Sequence, residues 1–536
     1  MHGIGAVELV FLPLLFFIVI FGVFARQMRL PYPIVMVLGG LALSFIPGIP
    51  KIALDPDLVF LVVLPPLLYA SAWTTSWRDF RFNLGKISLL AVGLVGFTVI
   101  GVSLVAPHVF PGFDRRLGLV LGAVVAPTDA IAATSIARRV GLPARIVDIL
   151  EGESLLNDAT GLLALQFAIA IVVQGRSPTW GEGILTFSWL TIGGVGLGLI
   201  AAWMVDKIER RVDDGPIEIT LSILVPYAVY LAADAVRASG VLAVVACGLY
   251  LSRRSADFFS APVRIQVWSV WASLTFVLNG LVFVLIGLQL PSIRASIAGK
   301  DLRVLVLEGA AFSVILIVLR LAWVFPGAGI ASFIHSRSGM HSRSGARSAR
   351  TLRPREVFVV GWTGMRGVVS LAAALALPVV MADGSSFPQR SLIVFLTFCV
   401  ILVTLILQGL TLPPFIRWLG LAQAAGPNCE ELEARRIVIQ AAVSHLEAAK
   451  ERDAAASAEH YDHLTGHYHQ RLANLNERNE AADYGRYLDL SLEAVRVERQ
   501  TAIRLRNEGR INDEVLRRIE RELDLEESRM AQSEEA

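Results

Sequence analysis

The chain has 536 residues, 54% of them hydrophobic and only 18% charged, with a net charge of +2 and a mean hydropathy of +0.60. That is far more apolar than a soluble domain of this length, so the composition reads as a polytopic membrane protein, and nothing in it marks a nucleic-acid binder. Cys247, Cys399 and Cys429 are scattered, which suggests neither a disulfide framework nor a cysteine metal site.

In chain order, runs of about 17 to 25 apolar residues punctuated by Pro, Gly and charge predict about thirteen membrane spans before residue 420. Their expected limits are 6–24, 31–47, 56–73, 87–106, 117–137, 152–174, 183–205, 217–235, 239–252, 267–290, 302–325, 356–380 and 391–417, the ninth being short. The first run lacks a basic flank and a cleavage site and is expected to be a retained span, not a signal peptide. Loops after odd-numbered spans carry about 20 Arg and Lys against about 9 in the alternate loops, which predicts an outside N-terminus and a cytoplasmic C-terminus. The Ser and Arg run from Ser336 to Arg350 reads as a flexible cytoplasmic loop, with contact to anionic lipid as the alternative.

The fifth span contains Ala126-Pro127-Thr128-Asp129. Pro127 cannot donate a helix hydrogen bond, and Thr128 and Asp129 are good caps for a restarted half-helix. The twelfth contains Gly361-Trp362-Thr363-Gly364-Met365-Arg366-Gly367, three glycines around one arginine. Unwound backbone at that depth is tolerated only where protein or a wet cavity satisfies it. If spans one to six and eight to thirteen are related units, their odd offset makes them two six-helix inverted repeats, with the two breaks at matched positions flanking a binding site.

The sixth span opens on Glu151-Gly152-Glu153-Ser154-Leu155-Leu156-Asn157-Asp158. Ser154 and Asp158 share a helix face at i, i+4, and Glu153 and Asn157 form a neighbouring pair at the same spacing. An oxygen-rich surface of this kind suits small hard cations. Burial disfavours the charged form of a carboxylate, so one group can take a proton or a metal ion in turn. An intramembrane acid is by default an ion path or proton relay. Glu153 needs a counter-charge, and Arg366, deep in its own span, is the expected partner in a structural ion pair.

Asp129 is expected either to touch the ion or to cap the broken helix, and Thr128 and Ser154 either to coordinate it or to bond backbone. Arg320, placed one turn from the end of the eleventh span, is expected to snorkel. Asn279 is expected to be interhelical glue. After residue 420 the composition turns to Glu, Arg and Ala with helical apolar spacing, a soluble helical cytoplasmic tail over 421–536. His460, His463 and His467 lie at helical spacing there with His469 beside them, and a solvated face is favoured over a metal site or pH sensor.

Gly-Glu-Ser-Leu-Leu-Asn-Asp at 152–158, Pro-Thr-Asp at 127–129 and Gly-Met-Arg-Gly at 364–367 resemble the motifs of the monovalent cation/proton antiporters, in particular the sodium/proton exchanger branch. The resemblance implies a thirteen-span homodimer in the plasma membrane, with a moving core that contains two crossed, unwound helices. It implies Asp158 as the ion- and proton-binding carboxylate, Ser154 and Thr128 as hydroxyl ligands of Na+, and Glu153 with Arg366 as the stabilising pair. Asn157 before the aspartate resembles the electroneutral branch. Many relatives have an acid soon after Leu-Pro-Pro-Leu-Leu, whereas Tyr69-Ala70-Ser71 follows Leu64–Leu68 here, which removes one auxiliary ligand. Ala130 stands where the exchangers often have proline.

The expectation is therefore a secondary transporter, not an enzyme, that exchanges Na+ for protons by alternating access, with no cofactor. No Walker-type loop, His-Glu-x-x-His or Gly-x-Ser-x-Gly occurs. The alternatives are a potassium/proton antiporter on the same fold and, from another class, a channel or sensor signalling through the tail.

Overall fold

The computed structural model describes residues 4–47, 54–174, 179–297, 301–337, 352–381, 384–422, 429–452, 458–476, 481–508, 510 and 513–534. The chain divides into two compact units, Met1–Gln423 and Ala424–Ala536. Among the described residues no strand forms, only an isolated bridge between Val380 and Ser386.

Helices α1 Ile4–Gln27, α2 Tyr32–Leu43, α3 Leu58–Thr74 and α4 Trp77–Val109 lead to α5 Arg115–Val125 and α6 Ala130–Arg139, a pair bent by 41°. Next come α7 Ala144–Gln174, α8 Trp180–Glu209, α9 Gly215–Ala235, α10 Gly240–Phe258 and α11 Ala261–Leu288. The unit closes with the short α12 Leu290–Ser296, the long α13 Leu302–Arg337, the interrupted α14 Pro354–Trp362 and α15 Val368–Leu375, and α16 Arg390–Trp418.

Each apolar run expected from the sequence falls largely on helix, the fifth and twelfth being interrupted at 126–129 and 363–367 and the twelfth ending at Leu375, short of the expected 380. By length and composition seven described helices are able to cross a bilayer, or eight with the bent pair as one span. The outer face of α8 exposes Ile184, Leu185, Ile192 and Ile200, a surface suited to hydrocarbon and not to water. The chain is thus a multi-pass, all-helical membrane protein.

Local irregularities are satisfied by neighbouring helices. α4 widens to a π-helical turn over Leu89–Leu94. The carbonyls that such a turn frees need new donors. Ala91 accepts from the Thr160 hydroxyl of α7 at 2.6 Å, and Leu89 from the Trp323 indole of α13 at 3.3 Å. In α3 the π turn Leu58–Val63 is followed by Leu64 and then Pro65 and Pro66, which cannot donate to it. These ties leave α7 packed among α4, α5 and α6 with α14 and α15 at its side.

In the second unit α17 Cys429–Arg452 packs on α18 Ala458–Asn476, and α19 Ala481–Asn507 on α20 Asp513–Glu534. Arg499 ties the latter two together, donating to Asp524 at 2.7 Å and Glu527 at 2.6 Å. His460, His463, His467 and His469 are exposed on α18, and among the described residues no group of three His, Cys, Asp or Glu is placed to hold a metal. Of the Ser and Arg loop, residues 338–350 lie outside the described residues.

Candidate functional site

Two helix breaks cross beside α7. α5 stops at Val125, and Asp129 restarts the chain as the N-cap of α6, its Oδ1 accepting from the Ile131 amide at 2.8 Å. That is the capping geometry expected of an aspartate behind a proline break. Across from it, Thr363–Gly367 separates α14 from α15. The Asp129 amide donates to the Met365 carbonyl at 2.8 Å, so each broken segment supplies backbone bonding that the other lacks. Gly367 is required by this approach, because a Cβ there would overlap the Asp129 carboxylate.

Arg366 completes the crossing. Its Nε donates to the Val125 carbonyl at the end of α5 at 3.0 Å, its Nη1 donates to the Gly364 carbonyl, and its amide donates to the Thr404 hydroxyl at 3.2 Å. A cation there satisfies orphan carbonyls and opposes the negative C-terminal end of α5.

The expected Glu153–Arg366 ion pair is therefore corrected. Glu153 is held by Arg320 of α13 in a bidentate pair, Nη1 to Oε1 at 2.6 Å and Nη2 to Oε2 at 2.9 Å, with both side chains about 1–2% exposed. Arg320 Nη2 also donates to the Val360 carbonyl at 3.0 Å. Arg320 does not snorkel. α13 runs on to Arg337, well past the expected end at 325, so residue 320 lies near mid-helix and not one turn from water.

From Glu153 a polar chain runs inward. The Thr128 hydroxyl donates to Glu153 Oε1 at 3.0 Å and accepts from Asn157 Nδ2 at 2.6 Å. The Ser154 hydroxyl donates to the Thr128 carbonyl at 3.0 Å and accepts from the Ala130 amide at 3.3 Å. A hydroxyl has one proton and two lone pairs. Thr128 and Ser154 thus each keep one lone pair for a further partner.

Asp158, Asp129, Thr128 and Ser154 all line one cavity of about 100 Å³. Asn157 does not; it reaches the site only through Thr128. Asp158 is 7% exposed, and among the described residues no hydrogen bond or ion pair ends on its carboxylate. The cavity wall also carries Asn279, Ser71 and Ser370. The Ser370 hydroxyl is buried with no hydrogen-bond partner among the described residues. Sequence reasoning read Asn279 as interhelical glue and passed over Ser370. The signal for the latter was its position one turn beyond the broken Gly364–Gly367 stretch.

Comparison with known proteins agrees with this architecture. The family model described as "Sodium/hydrogen exchanger, transmembrane" matches residues 14–418. An uncharacterized Na(+)/H(+) exchanger of Mycobacterium bovis is 34% identical over 527 residues, 95% of this chain and 94% of that protein. The Na(+)/H(+) antiporter ApNhaP of Aphanothece halophytica is 30% identical over 428 residues, 79% of this chain and 76% of that one. The sodium proton antiporter MjNhaP1 of Methanocaldococcus jannaschii shares the fold with a TM-score of 0.58 at 19% identity, covering 78% of this chain and all of its own.

Proposed function

Because the chain belongs to the sodium/hydrogen exchanger family, we propose that it exchanges Na+ for protons across the membrane, with the carboxylate of Asp158 carrying each in turn. The observation that supports this most is the contrast among three acids at the site, Glu153 and Asp158 buried and Asp129 half-buried. Glu153 is held by Arg320, Asp129 is engaged by the Ile131 amide, and Asp158 alone of the three has no partner among the described residues while facing a cavity. A buried charge must be neutralised. A proton or a small cation does this at Asp158, and the two exclude each other.

Ser154 and Thr128 each offer the cation one lone pair, as oxygen sites for hard cations require. Asn157 orients Thr128, and Asp129 fixes the break that exposes these oxygens. Glu153 with Arg320 is the structural pair. The cavity wall passes Glu151, Thr74 and Thr134 on the side where basic loops predict the cytoplasm, which supports an inward-facing arrangement in an alternating-access cycle.

In this reading residues 1–420 form the exchanger and 421–536 a cytoplasmic helical tail. The protein works in the plasma membrane as a homodimer, with its N-terminus outside. The Asn157-Asp158 sequence supports electroneutral one-for-one exchange.

Vesicles that contain the protein are loaded with Na+ and their proton flux is followed by a pH dye. Wild type is expected to move protons when Na+ is supplied, and Asp158→Asn to move none. Flux retained in that variant overturns the assignment, and flux supported by K+ in place of Na+ assigns potassium as the cation instead.

A further inference from the structure

We propose that Ser370 is a further ligand of the transported cation, supplied by the second broken helix; this rests on the reading of Asp158 as the exchanging carboxylate and extends the shell around it. Ser370 lines the same cavity as Asp158, Ser154 and Thr128. It is the third residue of α15, directly after the unwound Thr363–Gly367 stretch. The cation is then held by oxygens from both sides of the helix crossing, and not from α6, α7 and the break between α5 and α6 alone.

A hydroxyl buried in a helix ordinarily satisfies itself by donating to the carbonyl one turn back. Ser313 does so to Gly309 at 2.7 Å, Thr397 to Ile393 at 2.8 Å and Thr404 to Val400 at 2.7 Å, all three fully buried. Ser370 is as deep, at 1% exposure, yet its hydroxyl has no partner among the described residues. The cause is local. The carbonyl four residues back belongs to Arg366, which lies in the unwound stretch and out of helical register. A buried polar atom without a partner in the protein calls for one from outside it, an ion or a water.

The cation has room for this oxygen. Hard cations coordinated by oxygen take about six ligands. The Asp158 carboxylate offers two oxygens, and Ser154 and Thr128 keep one lone pair each, which leaves the shell open. On the α15 wall of the cavity Gly367, Val368 and Val369 bring no side-chain heteroatom, whereas Ser370 brings a hydroxyl oxygen. That hydroxyl turns about one torsion between staggered positions, so it can present a lone pair to an ion beside it. A proton on Asp158 needs no such shell. Ser370 therefore sets cation affinity and leaves the proton half of the exchange to Asp158.

The test uses the full chain, in vesicles for Na+-dependent proton flux and in detergent for melting, as wild type, S370A, S370C, D158N and the control S313A. S370C keeps the shape and replaces a hard oxygen by soft sulfur. S370A and S370C are each expected to raise the KM for Na+ about fivefold or more at an unchanged maximal rate, and S313A to leave both as in wild type. Without Na+, S370A is expected to melt no lower than wild type, because the hydroxyl it loses has no bond in the protein; with Na+, its melting temperature is expected to rise by less than that of wild type. A wild-type KM in S370A overturns the assignment. So does a lower melting temperature of S370A without Na+, which makes the hydroxyl a structural one. Flux retained in D158N removes the Asp158 reading itself, whereas a silent D158N beside a wild-type KM in S370A removes Ser370 alone.

Discussion

Glu153 and Asp158 lie five residues apart on one helix and meet opposite surroundings. Glu153 points at Arg320 and Thr128, and Asp158 at the cavity. A buried bidentate pair leaves a bare charge when one member is removed, which costs about 3–5 kcal/mol. Glu153→Gln and Arg320→Gln are each expected to lower the melting temperature strongly, and the double variant to lose much less than their sum. The same cycle with Arg366→Gln is expected to show weaker coupling, because Arg366 serves the carbonyls of Val125 and Gly364. Equal or stronger coupling to Arg366 in thermal denaturation contradicts the pairing described here.

At the scale of elements, the site depends on two broken helices that satisfy each other through Asp129 and Met365. Gly367 lies where that crossing leaves no room for a side chain, whereas Gly85 of α4 faces open space. Gly367→Ala is expected to reduce Na+-dependent proton flux at least tenfold by forcing the Asp129 carboxylate aside, about 1.4 kcal/mol or more of lost function. Gly85→Ala should leave flux unchanged, and equal effects from the two count against a steric role.

The breaks themselves were legible, because proline and clustered glycine act within a few residues of where they stand. The ion pair was not. Its partner sits 167 residues away, and the apolar run that holds Arg320 extends beyond Pro326, a residue that reads as a terminus but lies inside α13. Ending the span too early turned a mid-membrane arginine into a peripheral one, and Arg366 was then the only deep cation left to match with Glu153. Ser154, Thr128 and Asp158 could be placed together because helical spacing and the proline break are local signals. Asn279 and Ser370 come to the cavity from other helices, and only tertiary packing brings them there.

For the molecule as a whole, every residue assigned to cation and proton binding lies in the unit Met1–Gln423. One Na+ exchanged for one H+ moves no net charge, and the membrane potential acts on charge at about 2.3 kcal/mol per elementary charge per 100 mV. In proteoliposomes clamped with potassium and valinomycin, the exchange rate is expected to be the same at zero and at 100 mV. A rate that rises with the potential identifies an electrogenic exchanger and removes the one-for-one stoichiometry.

In the proposed mechanism Na+ and a proton compete for the one carboxylate of Asp158. Competition means that Na+ binding expels a proton, so apparent Na+ affinity rises as pH rises through the titration of that group. Proton release is measured directly by calorimetric titration of Na+ into the purified protein in buffers of different ionisation enthalpy. Wild type is expected to release close to one proton per Na+ bound at a pH where Asp158 is protonated, and Asp158→Asn to release none; undiminished release in that variant contradicts the account.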